Sequence, residues 1–246
     1  MEKDHKLENE IEGDAQETPM QIIARVRTDF PEKFGIPRQS GILHMLESTV
    51  VFEPKFRNPD ALRGIEGFSH LWLIWKFSEA VTEEWSPTVR PPRLGGNVRL
   101  GVFATRAPYR PNPIGLSSVR LLGVERTEEF GTVLRISGAD LMDGTPIYDI
   151  KPYLPYTDSH PEATGGFAEP LREYALEVNV PVDMMMKIPE EKREALIEIL
   201  KNDPRPGYQK DPRRVYKMSF SGHTVSFTVE DGILTVTDIS PIISSR

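Results

Sequence analysis

Short apolar runs separated by proline and glycine dominate the first two-thirds of the 246-residue chain. Several of these runs alternate apolar and polar side chains, which is the period of a half-buried β-strand. The predicted strands of this part are Ile22–Arg27, Ile42–Leu46, Thr49–Phe52, Leu71–Phe77, Val98–Phe103, Ser117–Val124 and Val133–Ile136. Many short strands with turn residues between them favour a barrel or a sandwich.

The pattern changes after Pro161–Pro170, a segment that contains Gly165-Gly166. Pro189-Glu190-Glu191 predicts the start of a helix, because proline fits the first helical turn and acidic side chains favour the positive end of the helix dipole. The predicted apolar stripe of this helix is Leu196, Ile197 and Leu200, and its end is Asn202-Asp203-Pro204. A small meander follows, with strands at Val215–Phe220, His223–Val229 and Ile233–Thr237 and turns at Gly222 and Asp231-Gly232.

These patterns divide the chain into three parts. Residues 1–17 are acidic and lack periodicity, which is typical of a disordered tail. Residues 18–160 form the predicted main domain, which is mainly β, and residues 165–246 form a small α+β C-terminal domain. The 22 prolines, about 9% of the chain, agree with a low helix content.

Composition and missing motifs exclude several classes of protein. The chain has no cysteine, so disulfides, thiol nucleophiles and cysteine-bound metals are excluded, and its five scattered histidines fit no metal motif. No two glycines are separated by one residue and no glycine precedes a lysine, so neither G-x-G-x-x-G nor a Walker A loop occurs. The longest apolar run, Leu71–Trp75, is far shorter than the about 20 residues of a membrane helix, and the N-terminus has no apolar signal region. We therefore expect a cytoplasmic protein with no metal and no membrane partner.

The net charge of −7 hides a strong segregation of charge. Residues 1–17 carry seven acids and two lysines (net −5), whereas residues 85–124 carry six arginines and no acid (net +6). Residues 201–217 carry six basic residues and two acids (net +4). Positive segments are the electrostatic footprint of a nucleic-acid partner, which the total charge alone would argue against.

The densest polar motif lies between two predicted strands. It reads Gly101-Val102-Phe103-Ala104-Thr105-Arg106-Ala107-Pro108-Tyr109-Arg110-Pro111-Asn112-Pro113-Ile114-Gly115-Leu116-Ser117. Its three prolines stiffen a loop that could present Arg106, Arg110 and Asn112 rigidly. A rigid turn with solvated arginines is the alternative. A second loop, Asp140–Ile150, contains an Asp-Gly-Thr-Pro turn whose acids either take part in chemistry or only cap the turn.

Six motifs occur in order along the chain. They are Pro37-Arg38-Gln39, Gly67-Phe68-Ser69-His70-Leu71-Trp72, Thr88-Val89-Arg90-Pro91-Pro92-Arg93-Leu94-Gly95-Gly96-Asn97, Gly101-Val102-Phe103-Ala104-Thr105-Arg106, Arg110-Pro111-Asn112-Pro113-Ile114-Gly115-Leu116-Ser117, and Asp143-Gly144-Thr145-Pro146 through Tyr153. Together they resemble the TrmO (TsaA-like) family from about Ile22 to Asp158. Asp203-Pro204-Arg205-Pro206-Gly207-Tyr208 resembles the C-terminal domain of its bacterial members. The acidic residues 1–17 lie outside the resemblance.

The resemblance implies a tRNA methyltransferase that takes its methyl group from S-adenosylmethionine. The implied acceptor is N6 of threonylcarbamoyl-adenosine, the modified base next to the anticodon of threonine tRNA. The implied fold is a single-sheet closed β-barrel, unlike the Rossmann methyltransferases, and the implied assembly is a homodimer. Two alternatives are an S-adenosylmethionine-binding regulatory or interaction module without catalysis, and a methyltransferase of the same fold that acts on another substrate.

The resemblance also assigns methyl-donor contacts residue by residue. They fall on Pro37, Arg38, Gln39, Ser78, Glu79, Arg106, Leu116, Ser137, Gly138, Ala139 and Asp140. Arginine can pair with the donor's carboxylate in a bidentate manner. Gln39 and Asp140 offer acceptors for ribose hydroxyls or for the amino group, and Leu116 offers an apolar wall for adenine.

Catalysis and RNA binding require further residues. We expect Asn112, with the backbone of Pro111 or Pro113, to orient the N6 group, by analogy with the Asn/Asp-Pro-Pro loop of unrelated adenine-N6 methyltransferases. Asp143 is the alternative proton acceptor, and Asn112 as a simple turn residue is the competing interpretation. The candidates for RNA contact are Arg90, Arg93, Arg99, Arg110, Arg120, Tyr109, Tyr148 and Tyr153, with Lys210, Arg213, Arg214 and Lys217 in the C-terminal domain. Each arginine could instead be an ordinary surface residue.

Overall fold

A computed structural model of the chain describes residues 18–36, 40, 45–79, 84–91, 94, 97–171, 175–205 and 211–242. Several expectations fall outside these residues. They concern the acidic tail, Pro37, Arg38, Gln39, residues 42–44, Arg93, residues 206–208 and Lys210.

The described residues between 24 and 152 contain eight strands. They are β1 (Ala24–Arg27), β2 (Glu47–Phe52), β3 (His70–Lys76), β4 (Thr88–Val89), β5 (Leu100–Gly101), β6 (Ile114–Thr127), β7 (Gly131–Ser137) and β8 (Pro146–Pro152). Six of them pair antiparallel in the order β1-β2-β7-β6-β3-β8, and β1 also pairs with β8, which makes a closed barrel. Strands β4 and β5 form a separate two-stranded ribbon. The mainly β prediction for this part of the chain is confirmed.

The barrel is filled by the inward-facing apolar side chain of every second residue, as the pleat of a strand requires. The largest of these are fully buried: Leu71, Leu73, Leu134, Ile136 and Ile147. Three short 3-10 turns connect β2 to β3, at Pro54–Phe56, Pro59–Leu62 and Ile65–Gly67. Leu62 and Ile65 from these turns pack against the same core, which leaves the opposite end of the barrel to the motif loops.

The C-terminal part contains a four-stranded sheet and the longest helix of the described residues. Helix α1 (Pro155–Asp158) and a 3-10 turn at Gly166–Leu171 precede this part. Its elements are β9 (Glu177–Asn179), α2 (Val182–Met185), α3 (Glu190–Lys201), β10 (Tyr216–Phe220), β11 (His223–Glu230) and β12 (Ile233–Pro241). The sheet order is β10-β11-β12-β9. Helix α3 buries Ala195, Leu196, Ile199 and Leu200 against this sheet's core.

The predicted meander and its turns are confirmed. Asp231 (φ +47°) and Gly232 (φ +81°) both adopt the left-handed conformation between β11 and β12. Two consecutive residues of this kind make the mirror-image turn whose twist matches a hairpin, and Asp-Gly is a preferred pair for it.

Four details of the prediction are wrong or incomplete. The predicted strand Val98–Phe103 is a strand only at β5, because Val102–Ala104 forms a 3-10 turn closed by hydrogen bonds from the Thr105 amide and hydroxyl to the Val102 carbonyl. Met45 and Leu46 lie before the next strand rather than within one. Strands β4, β8 and β9 were not predicted. On α3, Ala195 and Ile199 replace Ile197 in the buried stripe.

One segment between β1 and β2 packs on the C-terminal sheet. We call Asp29–Glu32 the bridge segment. The Ser221 amide donates to the Asp29 carbonyl, and the Asp29 carboxylate pairs with Lys192 of α3. Glu32 Oε1 accepts from the Ser219 amide at 3.1 Å and from its hydroxyl at 2.5 Å. Phe30 and Leu46 are accordingly buried in the C-terminal core, not in the barrel.

Candidate functional site

The loops that carry Arg106, Asn112 and Asp140 lie at one end of the barrel, which we call the mouth. Strands β1, β3 and β7 end there, and β2, β6 and β8 begin there. Near the end of β3, Trp75 pairs with Gly115 of β6 and Ile147 of β8. At the end of β7, Ser137 pairs with Glu47 of β2 and Arg120 of β6. The described donor candidates lie on these strand ends or on the loops that join them. They are Ser78, Glu79, Arg106, Leu116, Ser137, Gly138, Ala139 and Asp140.

A chain of hydrogen bonds crosses the mouth. The indole Nε1–H of Trp75 on β3 donates to Ser117 Oγ on β6 at 2.9 Å. Ser117 Oγ in turn donates to Asp140 Oδ1, just after β7, at 2.6 Å. Ser117 is fully buried, so both of its hydrogen bonds are shielded from water. Three strands thereby orient the Asp140 carboxylate.

Gly115 makes room for this arrangement. A Cβ on Gly115 would lie 2.2 Å from Trp75 Cε2, because the indole ring covers the glycine directly opposite it in the barrel. Gly115 of the Pro-Ile-Gly-Leu-Ser motif therefore leaves the space that the Trp75 ring occupies. Ser117, two residues later in the motif, accepts the hydrogen bond from the Trp75 indole.

Replacing Gly115 by alanine should displace the Trp75 ring and lower the free energy of unfolding by about 1–3 kcal/mol, the usual cost of overpacking. Urea unfolding measures this change. Gly123→Ala on the same strand is the matched control, since a Cβ there meets nothing within 4 Å, and its effect should stay within about 0.5 kcal/mol. Equal losses in the two variants would contradict the contact assigned to Gly115.

Asp140 is a largely buried acid of the mouth. Burial raises the pKa of its carboxyl above the usual value of an aspartate. The Ser117 hydroxyl, the backbone amides of Asp140 and Ser40, and the positive charge of Arg106 offset this rise only in part. Three residues in or beside different motifs therefore stabilise the charged form of one carboxyl group. They are Ser40, next to Pro-Arg-Gln, Arg106 and Ser117.

The residues just before Asp140 redirect the chain into the mouth. Gly138 has φ +80°, a conformation that favours glycine, and its amide donates to the Leu46 carbonyl. Ala139 is buried in the barrel core. Ser137 Oγ is buried and has no hydrogen-bond partner among the described residues. A buried hydroxyl without a partner is uncommon in native proteins.

The loop that carries Arg106 is held by its own hydrogen bonds. The Ala107 amide donates to Thr105 Oγ1 at 3.2 Å. Arg110 NH1 donates to the carbonyls of Thr105 at 3.0 Å and Ala107 at 3.2 Å. Arg110, a candidate for RNA contact, thus stabilises its own loop by two hydrogen bonds to backbone carbonyls.

Asn112 lies at the tip of the next turn. Its carbonyl accepts from the Ile114 amide at 2.7 Å, and the Pro113 carbonyl accepts from the Phe77 amide beyond β3. The Asn112 side chain is exposed and makes no hydrogen bond within the described part of the chain. Leu116 is also exposed, at 54%. Ser78 and Glu79 are exposed just past the end of β3, beside this turn.

Asp143 is embedded in a turn. Its carboxylate accepts from the Thr28 amide at 3.1 Å and from Arg27 NH1 at 3.3 Å, and its own amide donates to the Phe30 carbonyl. The Thr28 hydroxyl also donates to the Leu141 carbonyl. Asp143 therefore ties the residues after Asp140 to β1 and the bridge segment, which is the capping role that the turn motif suggested.

Asp143→Ala should lower the free energy of unfolding by about 1–3 kcal/mol, because the Thr28 amide loses its acceptor. Thermal unfolding checks this. Asp60→Ala is the control: the exposed Asp60 carboxylate faces only Arg63, and such pairs contribute about 0–1 kcal/mol. Asp143→Asn keeps an acceptor oxygen for the Thr28 amide, so its stability should not change. Loss of turnover in that variant would identify Asp143 as the proton acceptor rather than as a residue that only caps the turn.

The remaining RNA candidates are spread over several surfaces. Arg90 and Tyr109 are exposed near the ribbon, and Arg99 NH1 donates to Thr88 Oγ1 within it. Tyr148 is partly buried, and Tyr153 packs on His70 and Trp72. In the C-terminal part Arg213 is exposed beside Asp211, whereas Arg214 covers the Tyr216 ring at 5.4 Å. Arg120 and Lys217 are exposed.

Two features of this region were not predicted. The link from Trp75 to Ser117 joins residues on different strands and has no local sequence signal. Trp85 and Phe103 stack on each other beside the ribbon, and only the pairing of β4 with β5 brings them together. Within the described residues no cluster of three or more histidine, aspartate or glutamate side chains could hold a metal, and no helix is long and apolar enough to cross a membrane.

Comparisons with known proteins show the family of the chain. The model of the tRNA-methyltransferase O N-terminal domain matches residues 25–159, and that of the TrmO C-terminal domain matches residues 173–242. The Escherichia coli (strain K12) tRNA (adenine(37)-N6)-methyltransferase is 38% identical over 227 residues, which cover 89% of this chain and 96% of the relative. The enzyme of the same name from Eikenella corrodens is 46% identical over 171 residues, 69% of this chain and 95% of the relative.

Solved structures give the same picture. The crystal structure of TrmO from Pseudomonas aeruginosa superposes with a TM-score of 0.73 at 33% identity and covers 92% of this chain and 100% of that one. The matched architecture is that of a TrmO methyltransferase, with both of its domains. The chain belongs to the tRNA-methyltransferase O family, and the resemblance seen in the motifs is confirmed.

Proposed function

We propose that this protein is an S-adenosylmethionine-dependent tRNA (adenine(37)-N6)-methyltransferase. Its proposed substrate is threonylcarbamoyl-adenosine next to the anticodon of threonine tRNA. The observation that carries the proposal is the convergence on Asp140 of Ser40, Arg106 and Ser117, each of which lies in or beside a different motif. The names of the relatives support the same reaction and position.

The residues of the mouth fit the chemistry of the methyl donor. S-adenosylmethionine carries a carboxylate, an ammonium group and two ribose hydroxyls, and when bound it supplies an electrophilic methyl group. Arg106 would pair with the carboxylate, and Asp140 would accept from the ammonium or the hydroxyls. Ser137 Oγ, buried without a partner, and the exposed Leu116 would add a polar contact and an apolar wall. Pro37, Arg38, Gln39, Ser78 and Glu79 complete the proposed set.

Asn112 is the proposed catalytic residue. Methylation of N6 forms an N–C bond while the S–C bond to the donor's methyl group breaks, which leaves S-adenosylhomocysteine and one proton. The protein must therefore hold the nitrogen at the right place and angle. The carboxamide of Asn112 has an acceptor for the N6 hydrogen and no competing partner in the described residues. Asp143 remains the alternative acceptor of the released proton.

The RNA would contact arginine and tyrosine side chains on more than one surface of the protein. The described candidates are Arg90 and Tyr109 near the ribbon, Arg110 beside Tyr109, Tyr148 on β8, and Arg213 and Arg214 in the C-terminal part. Arg93 belongs to the same proposed set. Their charges would make the affinity for RNA depend on salt. For single strands, log K should fall by about 0.7 per phosphate contact for each tenfold rise in salt concentration.

The proposed organisation is a barrel domain over 18–160, a C-terminal domain over 165–246 and an acidic tail over 1–17. Two separate buried clusters support the division into two domains. We further propose a cytoplasmic homodimer, which light scattering would detect as a mass of twice 27.9 kDa.

Methyl transfer from labelled S-adenosylmethionine to threonine tRNA tests this function. Two tRNA preparations are compared, one with and one without the threonylcarbamoyl group. We expect label in the modified tRNA only, recovered as the N6-methylated nucleoside after digestion. Donor binding without transfer to any tRNA would favour a regulatory module, and transfer to a different nucleoside would identify another substrate.

A further inference from the structure

An aromatic pair stands exposed beside the Arg106 loop. The rings of Trp85 and Phe103 stack with 6.1 Å between centroids and 24° between planes. Trp85 is 48% exposed and Phe103 is 71% exposed. Two large rings that stack on each other and still face solvent form a flat apolar surface, which marks an interaction site more strongly than a single exposed side chain does.

Backbone hydrogen bonds fix this pair relative to the proposed catalytic loop. Val102, next to Phe103, donates its amide to the Pro87 carbonyl, and the Ser86 amide, next to Trp85, donates to the Tyr109 carbonyl. Phe103 precedes Arg106 by three residues, and Tyr109 precedes Asn112 by three. The pair is therefore held by the same loop that presents Arg106 and Asn112 to the substrate.

The charge around the pair indicates the class of its partner. The exposed arginines Arg90 and Arg99 flank it on the ribbon, and the chain has no acidic residue from 85 to 124, with Glu84 just before. Aromatic rings beside guanidinium groups are the usual surface for single-stranded nucleic acid, because each base has a flat face that stacks and each nucleotide has a charged phosphate. A second copy of this chain would place like charges opposite one another.

We propose that Trp85 and Phe103 form a platform on which an unpaired base of the RNA stacks, next to the adenosine that is methylated. This inference rests on the proposed function. A base that is chemically modified must leave its stack, which exposes the face of its neighbour. The aromatic platform covers that face and so offsets part of the cost of unstacking.

The test uses the full chain and a fluorescently labelled anticodon stem–loop RNA. Trp85→Ala and Phe103→Ala should each weaken RNA binding by about tenfold to a hundredfold, measured by anisotropy, and leave the affinity for S-adenosylmethionine unchanged. Trp85→Phe and Phe103→Tyr keep a ring and should restore most of the affinity. Tyr156→Ala, at an 83% exposed aromatic on α1, is the matched control and should bind RNA normally.

Salt dependence separates stacking from charge. The aromatic variants should keep the wild-type slope of log K against log salt, whereas Arg99→Ala should reduce it by about 0.7 if that side chain contacts a phosphate. Unchanged RNA affinity in Trp85→Ala/Phe103→Ala would overturn the platform, and a shift of that variant to a smaller oligomer would then identify a second copy as the occupant. RNA binding that depends on the pair, without methyl transfer by the wild type, would support the platform and contradict the proposed reaction.

Discussion

Asp140→Asn should bind S-adenosylmethionine about tenfold to a hundredfold more weakly than the wild type. The carboxylate loses its charge, and a hydrogen bond to a charged group contributes about 1.5–3 kcal/mol. The Ser117 hydroxyl can still donate to the remaining oxygen, so the mouth should keep its geometry. Titration calorimetry at neutral pH measures the difference, and Asp149→Asn on β8, whose carboxylate pairs with Lys151 at the surface, is the control.

The same variant makes a prediction about pH and stability. Burial raises the pKa of Asp140, so this group favours the unfolded state increasingly as the pH rises from the ordinary aspartate pKa to the raised one. Asp140→Asn removes that penalty and should unfold at the same or a higher temperature at neutral pH. Wild-type donor affinity should fall on acidification at a higher pH than an ordinary aspartate would give. A donor affinity equal to that of the wild type in Asp140→Asn would contradict the proposed role.

Asn112→Ala should lose turnover and keep donor binding. The variant removes the acceptor proposed to orient N6, and misplacement by about 1 Å costs roughly a hundredfold in rate. The donor contacts at Asp140 and Arg106 do not involve Asn112, so the dissociation constant of S-adenosylmethionine should not change. Single-turnover methyl transfer gives the rate, and calorimetry gives the affinity.

The interpretation of Asn112 as a simple turn residue makes the opposite prediction. The turn is closed by the Asn112 carbonyl and the Ile114 amide, which alanine retains, so both activity and stability would then survive. Asn179→Ala, an exposed asparagine on the edge strand β9, controls for the substitution itself. Full activity of Asn112→Ala would end the proposal that its side chain takes part in the reaction.

The sequence predicted strands in which apolar and polar side chains alternate clearly. In β10 the apolar residues Tyr216, Met218 and Phe220 alternate with polar ones and face the C-terminal core. The turn between β11 and β12 is specified by two adjacent residues. Strand β8 begins at a proline and pairs with β1 and β3, which are distant in sequence. Its role in closing the barrel is a tertiary property that no local alternation encodes.

The motifs identified residues of the mouth but not their partners. Arg106, Ser117 and Asp140 all lie in or beside a motif, and they meet only because β6 and β7 bring their loops to one end of the barrel. Asp143 and Arg110 stood out by charge, and both turn out to hold backbone groups. Asp143 accepts from the Thr28 amide after β1, and Arg110 donates to carbonyls of its own loop. Charged residues in rigid loops serve structure and chemistry alike, and only their hydrogen-bond partners distinguish the two.

The three tryptophans test the central claim most directly, because each lies in a different place. Trp75 Nε1 donates to Ser117 in the mouth, Trp72 Nε1 donates to Asp158 on the outer face of the barrel, and Trp85 belongs to the aromatic platform. Their indole N–H signals in a ¹H–¹⁵N spectrum should respond separately. Saturating S-adenosylmethionine should shift the Trp75 signal and leave Trp72 in place. Donor binding proved by calorimetry, together with an unmoved Trp75 signal, would contradict a donor site at the mouth around Asp140.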